Sequence, residues 1–118
     1  HPPFITGMGA MDEPFEGADL LRDVLSRAPW ARLCCGHMHR PIFTAWAQGL
    51  ALTVPSISMQ IDLDLSPQGG DTFRMEMPGY MLHHWDGSHL NSHVCQIPAD
   101  VDFSGPHPFA DSVNPVED

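Results

Sequence analysis

At 118 residues the chain suits one small domain, which buries a little over ~60% of its unfolded surface, and its 42% hydrophobic content sets it apart from disordered sequences. Twelve prolines and ten glycines indicate many loops and short elements, which excludes a helix bundle. Five arginines, no lysine and fifteen carboxylates give a net charge of −10, a balance that disfavours nucleic-acid coating and rules out lysine Schiff-base and Walker-type chemistry.

Three cysteines, two of them adjacent, do not form a disulfide framework, so a reducing compartment is expected. No apolar run approaches the ~18 residues of a membrane helix, and the first residues lack the pattern of a secretory leader. The expectation is a soluble, cytoplasmic protein with neither membrane nor nucleic-acid partners. A start at His1 points to a chain that is processed, cleaved or part of a longer protein.

In chain order, His1-Pro2-Pro3-Phe4 is a stiff opening because each proline fixes its own φ and biases the residue before it. Residues 5–16, with Gly7, Gly9 and Pro14, read as a loop. Over 16–28 the apolar positions Leu20, Leu21, Val24, Leu25 and Ala28 recur at helical spacing, and Pro29 ends the helix. A short buried strand is expected over 30–35, which makes Cys34 and Cys35 core residues. Residues 41–47 and 50–54 read as a hairpin about Gln48-Gly49.

The alternation Ile57, Met59, Ile61, Leu63, Leu65 predicts a half-buried strand. Residues 66–78 are a loop or an excursion from the sheet, and 79–85 with 90–97 form a second hairpin across an Asp86-Gly87 turn. His83 and His84 must then face opposite sides of that hairpin and, with His89 and His93, read as surface histidines. Met59, Met75, Met77 and Met81 are expected in a core or an oligomer interface. The segment 99–118 is an extended tail.

The centre of the sequence is Gly36-His37-Met38-His39-Arg40, directly after the 30–35 strand. Imidazoles at i and i+2 share a face if the backbone is extended, and can meet one metal ion or two adjacent ones. Gly36 offers the turn that ends the strand. Arg40 is placed either to contact a substrate phosphate or to form a surface ion pair.

Together His1-Pro2-Pro3, Met11-Asp12, the helix, Gly36-His37-Met38-His39-Arg40, Thr53-Val54-Pro55-Ser56 and Gly79-Tyr80-Met81-Leu82-His83 resemble the C-terminal half of the calcineurin-like metallophosphoesterases. Within that superfamily the chain is most similar to class III cyclic-nucleotide phosphodiesterases and their glycerophosphodiesterase relatives. The resemblance implies an α/β fold, the C-terminal half of a four-layer αββα sandwich, with one helix followed by mainly antiparallel strands over 1–98. Within it 66–78 would be a cap or dimerisation excursion. It further implies two divalent metal ions (Fe, Mn, Zn or Co), with His37 on the ion also held by an Asn and the His of a His-His-Pro-Pro block, and His39 on the ion held by an Asp-x-His pair. The reaction implied is metal-assisted hydrolysis of a small phosphodiester such as a cyclic nucleotide or a glycerophosphodiester.

The Asp-x-His and Gly-Asn-His blocks of that family do not occur here, the family's Gly-Asp block is absent from its place ahead of the histidine pair, and His1 matches the second His of His-His-Pro-Pro, not the ligating first. His37 and His39 are thus the two ligands carried over, with His1 and Arg40 second-shell or beside the substrate. Two imidazoles are too few for a closed site. The expectation is a fragment of a phosphodiesterase, inactive alone, whose partners are the missing N-terminal half of the same fold and, through exposed sheet, further copies of itself. The alternative is a non-catalytic oligomerising module with a vestigial metal site.

Overall fold

The computed structural model describes residues 1–13, 15–98 and 105–109. A 3-10 turn, Gly9–Met11, precedes helix α1, Ala18–Ser26. Gly17 stands at the helix N-cap with φ 88°, a left-handed turn into the helix that glycine adopts at no steric cost. Seven strands follow: β1 Arg32–Cys35, β2 Ile42–Trp46, β3 Gly49–Thr53, β4 Gln60–Ile61, β5 Phe73–Arg74, β6 Gly79–Trp85 and β7 Leu90–Gln96. They make a three-stranded sheet of order β1-β3-β2 and two separate pairs, β4-β5 and β6-β7.

In the three-stranded sheet β3 is central, parallel to β1 and antiparallel to β2. It alone is fully covered in its second half, with Ala51, Leu52 and Thr53 all buried. The β2–β3 turn lies at Ala47-Gln48, both in left-handed backbone (φ 54° and 64°), the primed geometry whose twist suits a two-residue hairpin. The register places Leu33, Cys35, Ile42 and Thr44 on one face with Trp46, and Arg32, Cys34 and Phe43 on the other. Helix α1 lies beside the first face, where the Arg22 guanidinium is 5.3 Å from the Trp46 ring centroid. The β6–β7 hairpin approaches the second, where Arg32 donates to Ser92 Oγ and Cys34 Sγ lies 3.7 Å from His83 Nε2. The order is helix, sheet, hairpin, an α/β arrangement dominated by antiparallel pairs.

Three expectations are corrected. The strand at 57–65 shrinks to Gln60–Ile61, with Ile57 75% and Leu65 68% exposed, because its one partner, β5, is itself two residues long. β1 is not a buried strand: Cys34 is exposed, on the face that the hairpin meets through polar side chains, and Cys35, on the opposite face, is half-buried. The buried methionines are Met8 and Met38, so the core alternative for Met59, Met75, Met77 and Met81 is corrected, Met75 being 79% exposed in the single chain. The hairpins at 41–54 and 79–97 form as expected, although the first turns at Ala47-Gln48 and not at Gln48-Gly49, with His83 turned towards the sheet beside Ser92 and His84 on the opposite face. Most of the expected tail, 99–104 and 110–118, lies outside the described residues.

The Asp86-Gly87 turn closes β6–β7, with the Asp86 carboxylate accepting from the amides of Ser88 (2.8 Å) and His89 (2.7 Å). These bonds, that from His89 first, hold the Asp86 carboxyl below its ordinary value of 3.8. A lowered folded pKa contributes stability that is complete above 3.8 and is lost as pH falls through the folded value. In an NMR titration the Asp86 carboxyl should reach its midpoint below 3.8, with the Ser88 and His89 amides shifting in step. A midpoint at or above 3.8 would contradict the turn geometry.

Candidate metal centre

The histidine loop leaves the end of β1 and is held from three sides. Met38, with no exposed surface, packs with Met8 and Ile61, and Met11 and Ile42 close around them. This small core therefore joins the N-terminal loop, the histidine loop and β4. Thr53 Oγ1, at the end of β3, donates to Arg40 O, and Val54 N donates to Cys35 O at 2.9 Å. Each bond satisfies a loop carbonyl that burial would otherwise leave without water.

With Met38 fixed inward, the two histidines take an unusual backbone: φ is 73° at His37 and 56° at His39, while Gly36 lies outside the left-handed region. The extended backbone expected here is absent, and the turn falls on the histidines instead of the glycine. Left-handed backbone at a residue with a Cβ costs about 1–2 kcal/mol, and Met38 burial and the surrounding bonds offset it. Strain of this kind concentrates where side chains are held for chemistry.

The two imidazoles enter different surroundings. His39 Nδ1 lies 3.1 Å from Met59 O. A carbonyl only accepts, so Nδ1 carries the proton and Nε2 keeps its lone pair, the arrangement that second-shell bonding gives to metal-ligating histidines. His37 Nε2 is buried without a hydrogen-bond partner. Arg32 Nε and Trp46 Nε1 share that condition among the described residues, but both are donors only, whereas an imidazole nitrogen can offer a lone pair to a cation.

His1 stacks on His37, ring centroids 3.9 Å apart and planes tilted by 44°. Glu13 joins them: one donor atom each from His1, Glu13 and His37 all lie within 4.8 Å of one another. His39 is not in this group. Glu13 had no local signal in the sequence; a carboxylate just after Met11-Asp12 becomes meaningful only when the loop folds back on the histidines. The fold-back is fixed by Asp12, whose carboxylate accepts from Thr6 N and Oγ1, Gly7 N and Met8 N at 2.7–3.0 Å. Burial pushes the Asp12 carboxyl up, but these bonds together pull it further down, below its ordinary value. The loop also seats against Gly69-Gly70, where Ala10 N donates to Gly69 O at 2.8 Å and a Cβ on Gly70 would come 2.2 Å from Met8 O.

Arg40 forms an ion pair in the chain, with its side chain 14% exposed. Its Nε donates to Ile61 O at 2.7 Å and its NH2 group pairs with Glu76. His39 and Arg40 thus clip the loop to alternate carbonyls at Met59 and Ile61, and Glu76 ties it to the 66–78 excursion.

No family model matches the chain. It is similar to a protein of Arcobacter nitrofigilis described as a probable glycerophosphodiester phosphodiesterase GpdQ, 36% identical over 113 residues, covering 92% of this chain and 40% of that protein. The chain therefore spans 40% of the length of the relative it matches.

Two measurements check the loop. Nitrogen-15 spectra of the His39 ring should show the Nδ1-protonated tautomer; the Nε2-protonated form would remove the basis for a free Nε2. Met38→Ala should lower stability by about 3 kcal/mol in urea unfolding, in the range of buried methionine truncations, and speed amide exchange at 37–40 more than in the β6–β7 hairpin. Unchanged protection at 37–40 would show that the loop does not depend on this core.

Proposed function

We propose that this chain is the histidine-bearing part of a binuclear, metal-dependent phosphodiesterase acting on small phosphodiesters, with glycerophosphodiesters as the substrate class. The observation that carries the reading is the pair of left-handed histidines, one with a buried nitrogen lacking a partner and one with its Nδ1 engaged so that Nε2 stays free. The similarity to a probable glycerophosphodiester phosphodiesterase over 92% of this chain supports the substrate class.

Electrostatics support it independently. A phosphodiester is an anion, and this chain carries −10. Each of its five arginines already faces a group of the chain: Arg22 faces Asp19, Arg27 Asp23, Arg32 Ser92, Arg40 Glu76 and Arg74 Asp62. With no lysine, an anionic substrate must be held chiefly by bound cations.

The donors fit such ions. Imidazole with carboxylate suits Zn, Mn, Fe or Co, and a lone pair on His39 Nε2 and the unpartnered His37 nitrogen are what a divalent ion requires. When bound, two divalent ions supply a nucleophilic water at neutral pH and neutralise charge on the phosphoryl oxygens. His37 and His39 hold the ions, Met59 O fixes the His39 tautomer, and Met38 keeps both rings from turning inward. Arg40 positions this loop through Ile61 O and Glu76 instead of meeting the substrate.

The remaining ligands of a two-ion centre lie, in this reading, on further chain of the same protein. That chain would also cover apolar side chains now in water, among them Leu20 (75% exposed) and Val24 on α1 and Phe43 on the outer sheet face.

The test is hydrolysis of glycerophosphocholine and bis(4-nitrophenyl) phosphate, with Mn²⁺ or Zn²⁺ added, by the full-length protein that contains these residues. His39→Ala should lower kcat/KM by more than ~100-fold, beyond the loss typical of outer-shell changes, while the 118-residue chain alone gives no turnover. Unimpaired hydrolysis by the His39→Ala protein would overturn the reading.

A further inference from the structure

We propose that His1, Glu13 and His37 form a single-ion site that this chain completes by itself, taking one divalent cation of the zinc or cobalt type without His39. The inference rests on the phosphodiesterase reading only in that both give His37 to an ion; Glu13 and His1 enter on geometry alone.

The donor atoms of the three residues lie within 4.8 Å of one another. Ligands of one tetrahedral ion at about 2.0–2.1 Å stand roughly 3.3 Å apart, so the site closes by a small approach of each donor. His1 and Glu13 are exposed and can make that approach by rotating about their side-chain bonds, while His37 is held by its backbone and the buried Met38 beside it. The preformed half of the site is thus the buried half.

The second observation is the His37 Nε2 atom, buried and without a partner. Such a group costs about 1–3 kcal/mol while it stays unpaired, and it belongs to the same imidazole that supplies a donor atom to the group with His1 and Glu13. The supports are independent of one another: buried Pro2 and stiff Pro3 fix the direction of His1, and the Asp12 hydrogen bonds fix the residue before Glu13. Two neutral imidazoles and one carboxylate leave a bound divalent ion with net charge +1, which the −10 of the chain favours. Three protein donors also leave a fourth position for water, as in open zinc sites.

The experiment is titration of the 118-residue chain with Zn²⁺ by calorimetry and with Co²⁺ by visible absorption, together with NMR of the histidine rings. One ion per chain is expected, with the tetrahedral Co²⁺ bands, and with Zn²⁺ moving the ring signals of His1 and His37 but not those of His39. Glu13→Gln should weaken Zn²⁺ binding at least tenfold with an unchanged circular dichroism spectrum, because the swap alters one exposed atom. His84→Ala should bind as the parent does, and so should a chain acetylated at the His1 amino group.

Equal affinity of parent and Glu13→Gln overturns the site, as does loss of binding on acetylation, which would assign the ion to the amino group. Movement of the His39 ring signals overturns it too. None of these results touches the phosphodiesterase reading, whose failure would appear instead as full hydrolysis by the His39→Ala full-length protein.

Discussion

The packing of Met8, Met38 and Ile61 is the constraint on which the rest depends. Each comes from a different stretch of chain, and each lies next to a group with chemistry: Met8 in the loop that leads to Glu13, Met38 between the two histidines, Ile61 beside the carbonyls that receive His39 and Arg40. A core this small stabilises little by area alone, since full burial of one such side chain yields about 1.5–3 kcal/mol. Its importance is directional. By turning Met38 inward it forces both neighbours outward and sets their left-handed backbone, so packing below and chemistry above are one constraint.

Electrostatics follow a similar economy. The five arginines are distributed among carboxylates and one hydroxyl of the same chain, and the pairs on α1 are exposed and worth little individually. Arg40 differs: its side chain is 14% exposed, and it bridges the histidine loop, β4 and the excursion through Glu76. Loss of Glu76 would leave a largely covered guanidinium with one partner fewer, so the excursion and the loop share a single anchor.

Local signals carried much of the fold. The helical spacing of Leu21 and Leu25 and the Asp86-Gly87 turn needed only neighbours in sequence, and α1 and the β6–β7 hairpin lie where those signals place them. The alternation from Ile57 to Leu65 was equally regular, yet alternation describes a pleat and not a partner, and only Gln60–Ile61 finds one. Gly36 suggested a glycine turn, whereas the left-handed positions fell on His37 and His39 because Met38 had to be buried. The histidine pair itself was legible as a candidate site. Its companion Glu13 was not, since nothing within a few residues distinguishes it from other acidic surface residues until the loop folds back.

The β6–β7 hairpin meets the three-stranded sheet through side chains, Arg32 to Ser92 and Cys34 to His83, and its backbone ties run to Ser56 O at one end. Elements joined in this way open as cooperative units, with a free energy set by the few groups at the seam. The seam contains a free thiol and an imidazole 3.7 Å apart, so oxidising or alkylating one sulfur would loosen the whole Gly79–Gln96 hairpin at once while the histidine loop, clamped from the opposite side by Met8 and β4, kept its shape.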